Sequence, residues 1–548
     1  MKNILIAIRS IFKKGRHNVM KIVSLGIGLA VGLVLIAKVY FEQSYDDFYP
    51  DRDRVYQVWA KYQQNGGELK DYPQTSGGIA PTMQQQIPEI ETVTRYTSFG
   101  DWTFTMTDTK MKYSGRCIIA DSCFFDILPR PMLIGNAKEV LSTPMYVLIS
   151  SRIAKNIGGD VIGKNFTVDN SPGRTMTIGG VFEEVPENSH SRYDVIVSMA
   201  SAGRFMWEGS PTNMLGNDRY ISYVKLHKGV NPLALEEQVR TFVNSYFPPE
   251  EQQKVGLSID FSFHKLDNLH KELPQVKRMT WILSLLAFAL IFTAVMNYIL
   301  IVISSIVNRS KEVAVHKCYG ASENNIHGMM FGEALVHIVL SLILALLLIL
   351  AFRGTVEELL ATSLDSLLLS NGSLVLLGIC ILVFFVSGFM PGSLYARIPV
   401  ASAFRNYREN KRIWKKALLL VQFVATGFLV TMLVFVARQY TFMVNDRPGY
   451  AYENLAYCGL AGVDSTSRAK ILDEVMRLPG VAAATTVYQL PFEHASGNNI
   501  LLPGGTQELF NIADLYWVGN GYLDMMEIPV IQGRSFTENV TNSREVMV

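Results

Sequence analysis

A run of about 20 apolar residues leaves a chain few choices. In hydrocarbon every backbone N–H and C=O must be paired within the protein, so such a run crosses a bilayer as an α-helix. Five occur here, at 20–39, 281–303, 334–352, 373–390 and 417–437. The fold class follows: an α-helical membrane protein with five predicted spans, carrying α+β domains outside the membrane in the two long intervals between and after the spans. The first run is longer than the roughly 7–15 residues of a signal-peptide core. Tyr40, Phe41 and Glu42 follow it in place of a small-residue cleavage site, so it reads as a retained anchor. With 49% hydrophobic and only 18% charged residues the chain is too apolar for a disordered or nucleic-acid-binding protein. Its 50 Lys+Arg against 48 Asp+Glu give no bulk attraction to nucleic acid. Five scattered cysteines (Cys117, Cys123, Cys318, Cys380, Cys458) exclude a disulfide scaffold and a structural zinc site.

Orientation is read from the short basic flanks, which resist translocation. Lys2, Arg9, Lys13, Lys14, Arg16 and Lys21 precede or open the first span with no acidic residue among them. Arg309, Lys311 and Lys317 follow the second span, and a basic cluster from Arg397 to Lys416 separates the fourth from the fifth. All three belong in the cytoplasm. The domain plan is a cytoplasmic flank (1–19), a first span (20–41) and an extracytoplasmic α+β domain (42–278). A three-span block (279–396) with a cytoplasmic loop at 305–330 follows, then a basic linker (397–416), a fifth span (417–438) and a second extracytoplasmic domain (439–548). In the first such domain, β-rich runs at 55–62, 102–107, 174–182, 193–199 and 220–227 predict strands, and 151–157 and 231–246 predict helices.

The two extracytoplasmic domains repeat one pattern. Phe125-Asp126-Ile127-Leu128, then Pro131 and Gly135, is matched by Leu523-Asp524-Met525-Met526, then Pro529 and Gly533. Ile87-Pro88-Glu89-Ile90 parallels Leu478-Pro479-Gly480-Val481. The run Tyr146-Val147-Leu148-Ile149 aligns with Val546-Met547-Val548, where the sequence stops, and a sheet needs more strands than that. The expectation is a C-terminally truncated chain, whose complete form has eight spans.

Catalytic signals are weak. Gly158-Gly159-Asp160-Val161-Ile162-Gly163-Lys164-Asn165 has the spacing of a phosphate-binding loop, but Asn165 stands where the Mg²⁺-binding Ser or Thr belongs, so a turn into a strand is the better reading. His190, His264, His270 and His494 are isolated along the chain and make no metal constellation. His337, within a span, reads as an interhelical contact, and Lys38, near a span end, as a side chain that snorkels. Neither a cofactor nor a metal is expected. The spans look built for helix contact: Ser24, Gly28 and Gly32 form a small-residue face, and Asn297 and Gln422 are polar groups that should face protein.

The segment Asn308-Arg309-Ser310-Lys311-Glu312-Val313-Ala314-Val315-His316-Lys317-Cys318-Tyr319-Gly320-Ala321-Ser322 reads as a short amphipathic helix ended by Gly320, with Ser322 capping the next helix. These residues resemble the signature of MacB/FtsX-type ABC transporter permeases in the long, duplicated form, although Ala314 stands where members usually have Gly, and His316 where they have Arg. Tyr45-Asp46-x-Phe48, Asp53-Arg54-Val55-Tyr56, Ile162-Gly163-Lys164 and Val185-Pro186-Glu187-Asn188-Ser189-His190 resemble the periplasmic core domain of the same permeases. The resemblance implies a non-catalytic inner-membrane subunit whose ATPase is a separate chain, docked on Arg309, Lys311, Glu312, Val313, Ala314, His316, Lys317, Tyr319, Gly320 and Ala321. It further implies movement of the periplasmic domains that expels amphiphiles, antimicrobial peptides or lipoproteins. Membrane lipid, an ABC ATPase dimer and, in some relatives, a periplasmic adaptor and an outer-membrane channel are the partners it suggests. Nucleic acid is not among them. A signalling scaffold that controls a periplasmic cell-wall hydrolase is the alternative.

Overall fold

The computed structural model describes residues 17–64, 67–168, 171–216, 218–369, 372–396, 399–400, 413–445, 449–460, 463–491, 496–502 and 508–535. Most of the 1–19 flank, most of the 397–416 linker, His494 and the run 546–548 lie outside these residues. The apolar runs form long helices: α1 (Asn18–Gln43), α2 (Pro274–Ser304), α4 (Glu323–Ala351), α7 (Ser373–Ala396) and α8 (Ile413–Asn445), each long and apolar enough to cross a membrane. Between them lie α3 (Ile306–Cys318), α5 (Arg353–Leu360) and α6 (Leu364–Leu368). At about 1.5 Å per residue the 31 residues of α2 are more than long enough to cross the ~30 Å hydrocarbon layer. Pro274 starts α2 at no cost because the first turn has no backbone partner to lose. α1, α2, α4 and α7 enclose a core of residues that includes Leu25, Leu29, Tyr298, Ile299, Ile338 and Val383.

The head between α1 and α2 is one mixed sheet with helices against it. Its strands are β1 (Val55–Gln64), β2 (Lys70–Tyr72), β3 (Ile90–Met106), β4 (Lys112–Ala120), β5 (Met132–Ile134), β6 (Tyr146–Ser150), β7 (Asn165–Val168), β8 (Ser171–Phe182), β9 (Val195–Ser198), β10 (Ile221–Leu226) and β11 (Leu257–Lys265). Their order is β11-β1-β10-β3-β4-β9-β6-β8-β5, with β2 beside β1 and β7 beside β3 and β8. Among the described strand pairs of known direction, β4/β9 and β6/β8 are parallel and the others antiparallel. Both faces of this central region are buried: Ile118, Leu148 and Ile196 point into one core, and Cys117, Ile119, Val147, Val195 and Val197 into the other. That explains why these strands read as unbroken apolar runs and not as alternating ones. A third core lies under β1, β10 and β11, where Val58, Val224 and Phe261 meet Met83 of the helix Ile79–Gln86 and Phe242 of the helix Glu236–Tyr246.

Two expectations are refined. The run 102–107 is the end of the 17-residue β3, whose register shifts between Ser98 and Asp101, where Gly100 adopts φ +73°. The run 231–246 is a 3₁₀ turn capped by Asn231 followed by an α-helix from Glu236. The loop at 158–163 is a turn leading into β7, with Gly158, Gly159 and Gly163 all at positive φ.

A second unit, from Leu433 onward, contains the helix Ser465–Met476, capped by the Asp464 side chain, and the antiparallel pair β12 (Ser496–Leu501) and β13 (Glu508–Leu515). Some of its local features match those of the head. The one-turn helices Phe124–Ile127 and Tyr522–Met525 each close with an i→i−4 bond, Leu128 N to Phe124 O at 3.0 Å and Met526 N to Tyr522 O at 2.9 Å. Each is followed at the same spacing by a positive-φ glycine, Gly135 and Gly533. The two Pro-containing turns share a closing bond, Ile90 N to Ile87 O at 3.1 Å and Val481 N to Leu478 O at 3.2 Å, but differ in form, since Gly480 is at φ +101° and the aligned Glu89 is not left-handed.

Candidate functional site

The segment after α2 forms the helix α3, which ends in a hydrogen-bonded glycine turn. Gly320 sits at φ +85°, its N–H donates to Lys317 O at 3.0 Å, and Ala321 N–H donates to His316 O at 3.0 Å. This paired bonding satisfies the last carbonyls of the helix and turns the chain sharply. Ser322 then caps α4 by accepting from Asn325 N. Val313 and Ala314 are each 1% exposed and belong to the bundle core, so they seat α3 and offer no surface of their own. Burying Val313 contributes on the order of 1.5 kcal/mol to that seat. Lys317 is half-buried and donates to Ala396 O at 2.6 Å, which ties α3 to the end of α7. Tyr395 beside it is fully buried, with its hydroxyl 3.1 Å from both Ser305 Oγ and Val302 O. The opposite face is open. Lys311, Val315, His316 and Cys318 are exposed, Glu312 and Ala321 half-buried, and Tyr319 is 89% exposed. The side chain of Arg309 lies outside the described residues.

The small-residue face of α1 meets α2. A methyl group added at Gly28 would come within 2.3 Å of Ala294 Cβ, and one at Gly32 within 2.4 Å of Ile291 Cγ1. Asn297 Nδ2 donates to Ser24 Oγ at 3.0 Å across the same contact. Gln422 lies with Asn297 on the wall of a cleft of about 360 Å³ between α2 and α8. His337 is buried, with Nδ1 3.1 Å from the Tyr298 hydroxyl on the neighbouring helix.

A third group of residues went unread in the sequence. Lys38 does not snorkel: it is 7% exposed, pairs with Glu42 at 2.7 Å and donates to Thr362 Oγ1 at 2.8 Å. The other Glu42 oxygen is 2.5 Å from His270 Nε2, and the His270 ring stacks on Tyr45 at 3.7 Å. Asp46, 1% exposed and at φ +56°, accepts from Ser189 Oγ at 2.6 Å and lies 2.6 Å from His190 Nδ1. Glu187 accepts from the backbone N–H of Ser363 at 3.0 Å. His190 and His270 are therefore not isolated; their ring centroids are 5.4 Å apart, folded together over Tyr45. Burial, reinforced by the Glu42 and Asp46 charges, pushes the Tyr45 phenol pKa up. This joint fastens the end of α1, the chain entering α2 and the turn between α5 and α6 to the underside of the head. The i,i+4 spacing of Lys38 and Glu42 at a span end was the available sequence signal.

Among the described residues no group of three His, Cys, Asp or Glu side chains could hold a metal ion. The arrangement is that of a multi-pass membrane protein with a head tied to its helices by buried polar contacts and a short helix following the second of them. Two family models match: the MacB-like periplasmic core domain over residues 20–242 and the FtsX-like permease C-terminal domain over residues 284–400. The chain belongs to the MacB/FtsX-type ABC transporter permeases, a multi-pass inner-membrane family whose subunits are generally non-catalytic. It is similar to the crystal structure of a permease-protein domain from Porphyromonas gingivalis, at 33% identity over 40% of this chain and 91% of that one, with a TM-score of 0.37. It is also similar to the extracellular domain of the noncanonic ABC-type transporter YknZ from Gram-positive bacteria, at 12% identity over 37% of this chain and 98% of that one, with a TM-score of 0.27. No curated protein matches the chain.

Proposed function

We propose that this chain couples ATP hydrolysis by a separate ABC ATPase to rearrangement of periplasmic domains, and that the motion extrudes amphiphilic compounds, antimicrobial peptides or lipoproteins. The observation that carries the reading is the two-sided α3, with Val313 and Ala314 buried in the bundle and His316 and Tyr319 turned outward at a fixed angle set by Gly320. A docking helix needs both an anchored face and exposed charged and aromatic anchors. In this reading the N-terminus, the 305–330 loop and the 397–416 linker are cytoplasmic, and 42–278 and 439–548 are periplasmic, in line with the three basic flanks. Lys317 acts by holding α3 to α7, and Lys311, Glu312, His316 and Tyr319 meet the ATPase. Lys38, Glu42 and His270 pass the displacement to the head.

The test is reconstitution of the protein with its ATPase in lipid. Tyr319→Ala with His316→Asp should abolish stimulation of ATP hydrolysis while the protein remains folded. Unchanged stimulation would sink the docking assignment. The sequence repeat between 42–278 and 439–548 favours a transporter over a signalling scaffold. Co-purification of a cell-wall hydrolase, with no amphiphile extrusion, would reverse that preference.

A further inference from the structure

Arginine is seldom buried without a partner, because its charge must then give up hydration for nothing. Arg130, in the turn after the helix Phe124–Ile127, is 6% exposed. Its guanidinium lies 5.1 Å from the Phe182 ring, 5.8 Å from Phe125 and 5.9 Å from each of Phe124 and Tyr193. Rings stabilise the cation through their faces and leave its N–H groups unsatisfied. Nε and Nη2 are closed off from solvent and have no hydrogen-bond partner among the described residues, while Tyr49 supplies the guanidinium a side-chain hydrogen bond. These two atoms form one edge of the guanidinium plane, the edge that presents two parallel donors. Arg130 also lines a cleft of about 330 Å³ with Ser122, Phe125, Asp126, Asn136 and Lys138.

We propose that this cleft binds a carboxylate monoanion, which draws the Nε and Nη2 edge of Arg130, closed off in the unliganded protein, into side-on contact. The two-donor edge matches the spacing of carboxylate oxygens. Charge selects among anions. Lys138 and Asp126, 3.9 Å apart, offset each other and leave Arg130 as the cleft's one net positive charge. A dianionic phosphate would meet Asp126 with a charge to spare. Burial pushes the pKa of Arg130 down, yet a guanidinium stays protonated at neutral pH, so the site is positive when empty or filled. The carboxylate belongs either to a free small molecule or to the C-terminus of a polypeptide.

Both sources can be tested on the whole protein in detergent, by calorimetric titration and thermal unfolding. The probes are sodium benzoate, a short apolar peptide as free acid and as amide, and inorganic phosphate. Benzoate or the free-acid peptide should bind saturably and raise Tm, the amide should not, and phosphate should bind at least about tenfold more weakly. Binding of benzoate assigns a free carboxylate, and binding of the free-acid peptide alone assigns a chain terminus. Arg130→Lys keeps the charge without the fork and should weaken binding about tenfold. Arg130→Met should abolish it while leaving the unliganded Tm equal or higher, since an apolar chain replaces a buried charge with two unsatisfied N–H groups. The proposal is overturned if neither carboxylate probe binds the wild type, if phosphate binds more tightly than both, or if Arg130→Met binds as the wild type does. A lower Tm for unliganded Arg130→Met, with no carboxylate-dependent rise in the wild type, would make the residue a cation–π strut and overturn it equally.

Discussion

Gly320 holds a backbone conformation that a side chain with a branched β-carbon adopts only under strain of order 1–3 kcal/mol. Gly320→Val should therefore tilt or fray the end of α3 and lower ATPase stimulation, with unfolding of the head unchanged. A stimulation curve identical to wild type would separate the glycine turn from coupling. At the joint, breaking a buried ion pair leaves an uncompensated charge, so Glu42→Gln should destabilise by about 3–5 kcal/mol. Lys38→Met combined with Glu42→Leu should recover most of that loss in thermal unfolding, and failure to recover would mean that His270 depends on the carboxylate more than Lys38 does. His264 supplies a pH signature. Its ring stacks on Trp59 at 4.2 Å, and burial, aided by Lys61 and opposed by Asp71 and Glu272, pushes its pKa down from 6.5. The folded protein then binds the proton less readily than the unfolded chain. The stabilising contribution is full above about pH 6.5 and is lost as pH falls through the lowered folded value. His264→Phe should keep the stack and flatten the fall in Tm between about pH 7 and about pH 5.

Among the elements, the α1–α2 contact is the most sensitive to volume. Gly28→Leu must displace Ala294, because even a methyl group there comes within 2.3 Å. Overpacking of this kind costs about 1–3 kcal/mol, measurable as a lower Tm in detergent. Gly427→Leu on α8, where nothing lies within 4 Å, should leave Tm unchanged. The contrast follows the legibility of the sequence. Long apolar runs name helices because hydrocarbon permits little else, and Ser24, Gly28 and Gly32 name a contact face because only small residues let helices approach. The helix Ile79–Gln86 went unread because its middle turns are Pro81, Thr82, Met83 and three glutamines, and its stability comes from Ile79, Ala80 and Met83 packing under the sheet. The surroundings of Arg130 and the joint were hidden for a different reason: Phe182 and Tyr193 are distant from Arg130 in sequence, and no local period links Lys38 to Thr362 or Glu42 to His270.

For the whole molecule, the proposed topology makes a thiol test decisive. Cys318 and Cys458 are exposed, whereas Cys117 is fully buried. In single-cysteine variants a membrane-impermeant reagent applied to spheroplasts should label Cys458 and spare Cys318, and inverted vesicles should reverse the pattern. Cys117 should react only after denaturation, from the same side as Cys458. The long strand β3 bears on what such a molecule can do once pushed. At about 3.3 Å per residue its 17 residues run roughly 55 Å. One end pairs with β10 over the helix-backed core, and the other with β4 and β7 over the second. Under the proposed coupling, a displacement at one end of β3 is expected to reach the other along this single strand, with the register shift at Gly100 the place where it can bend.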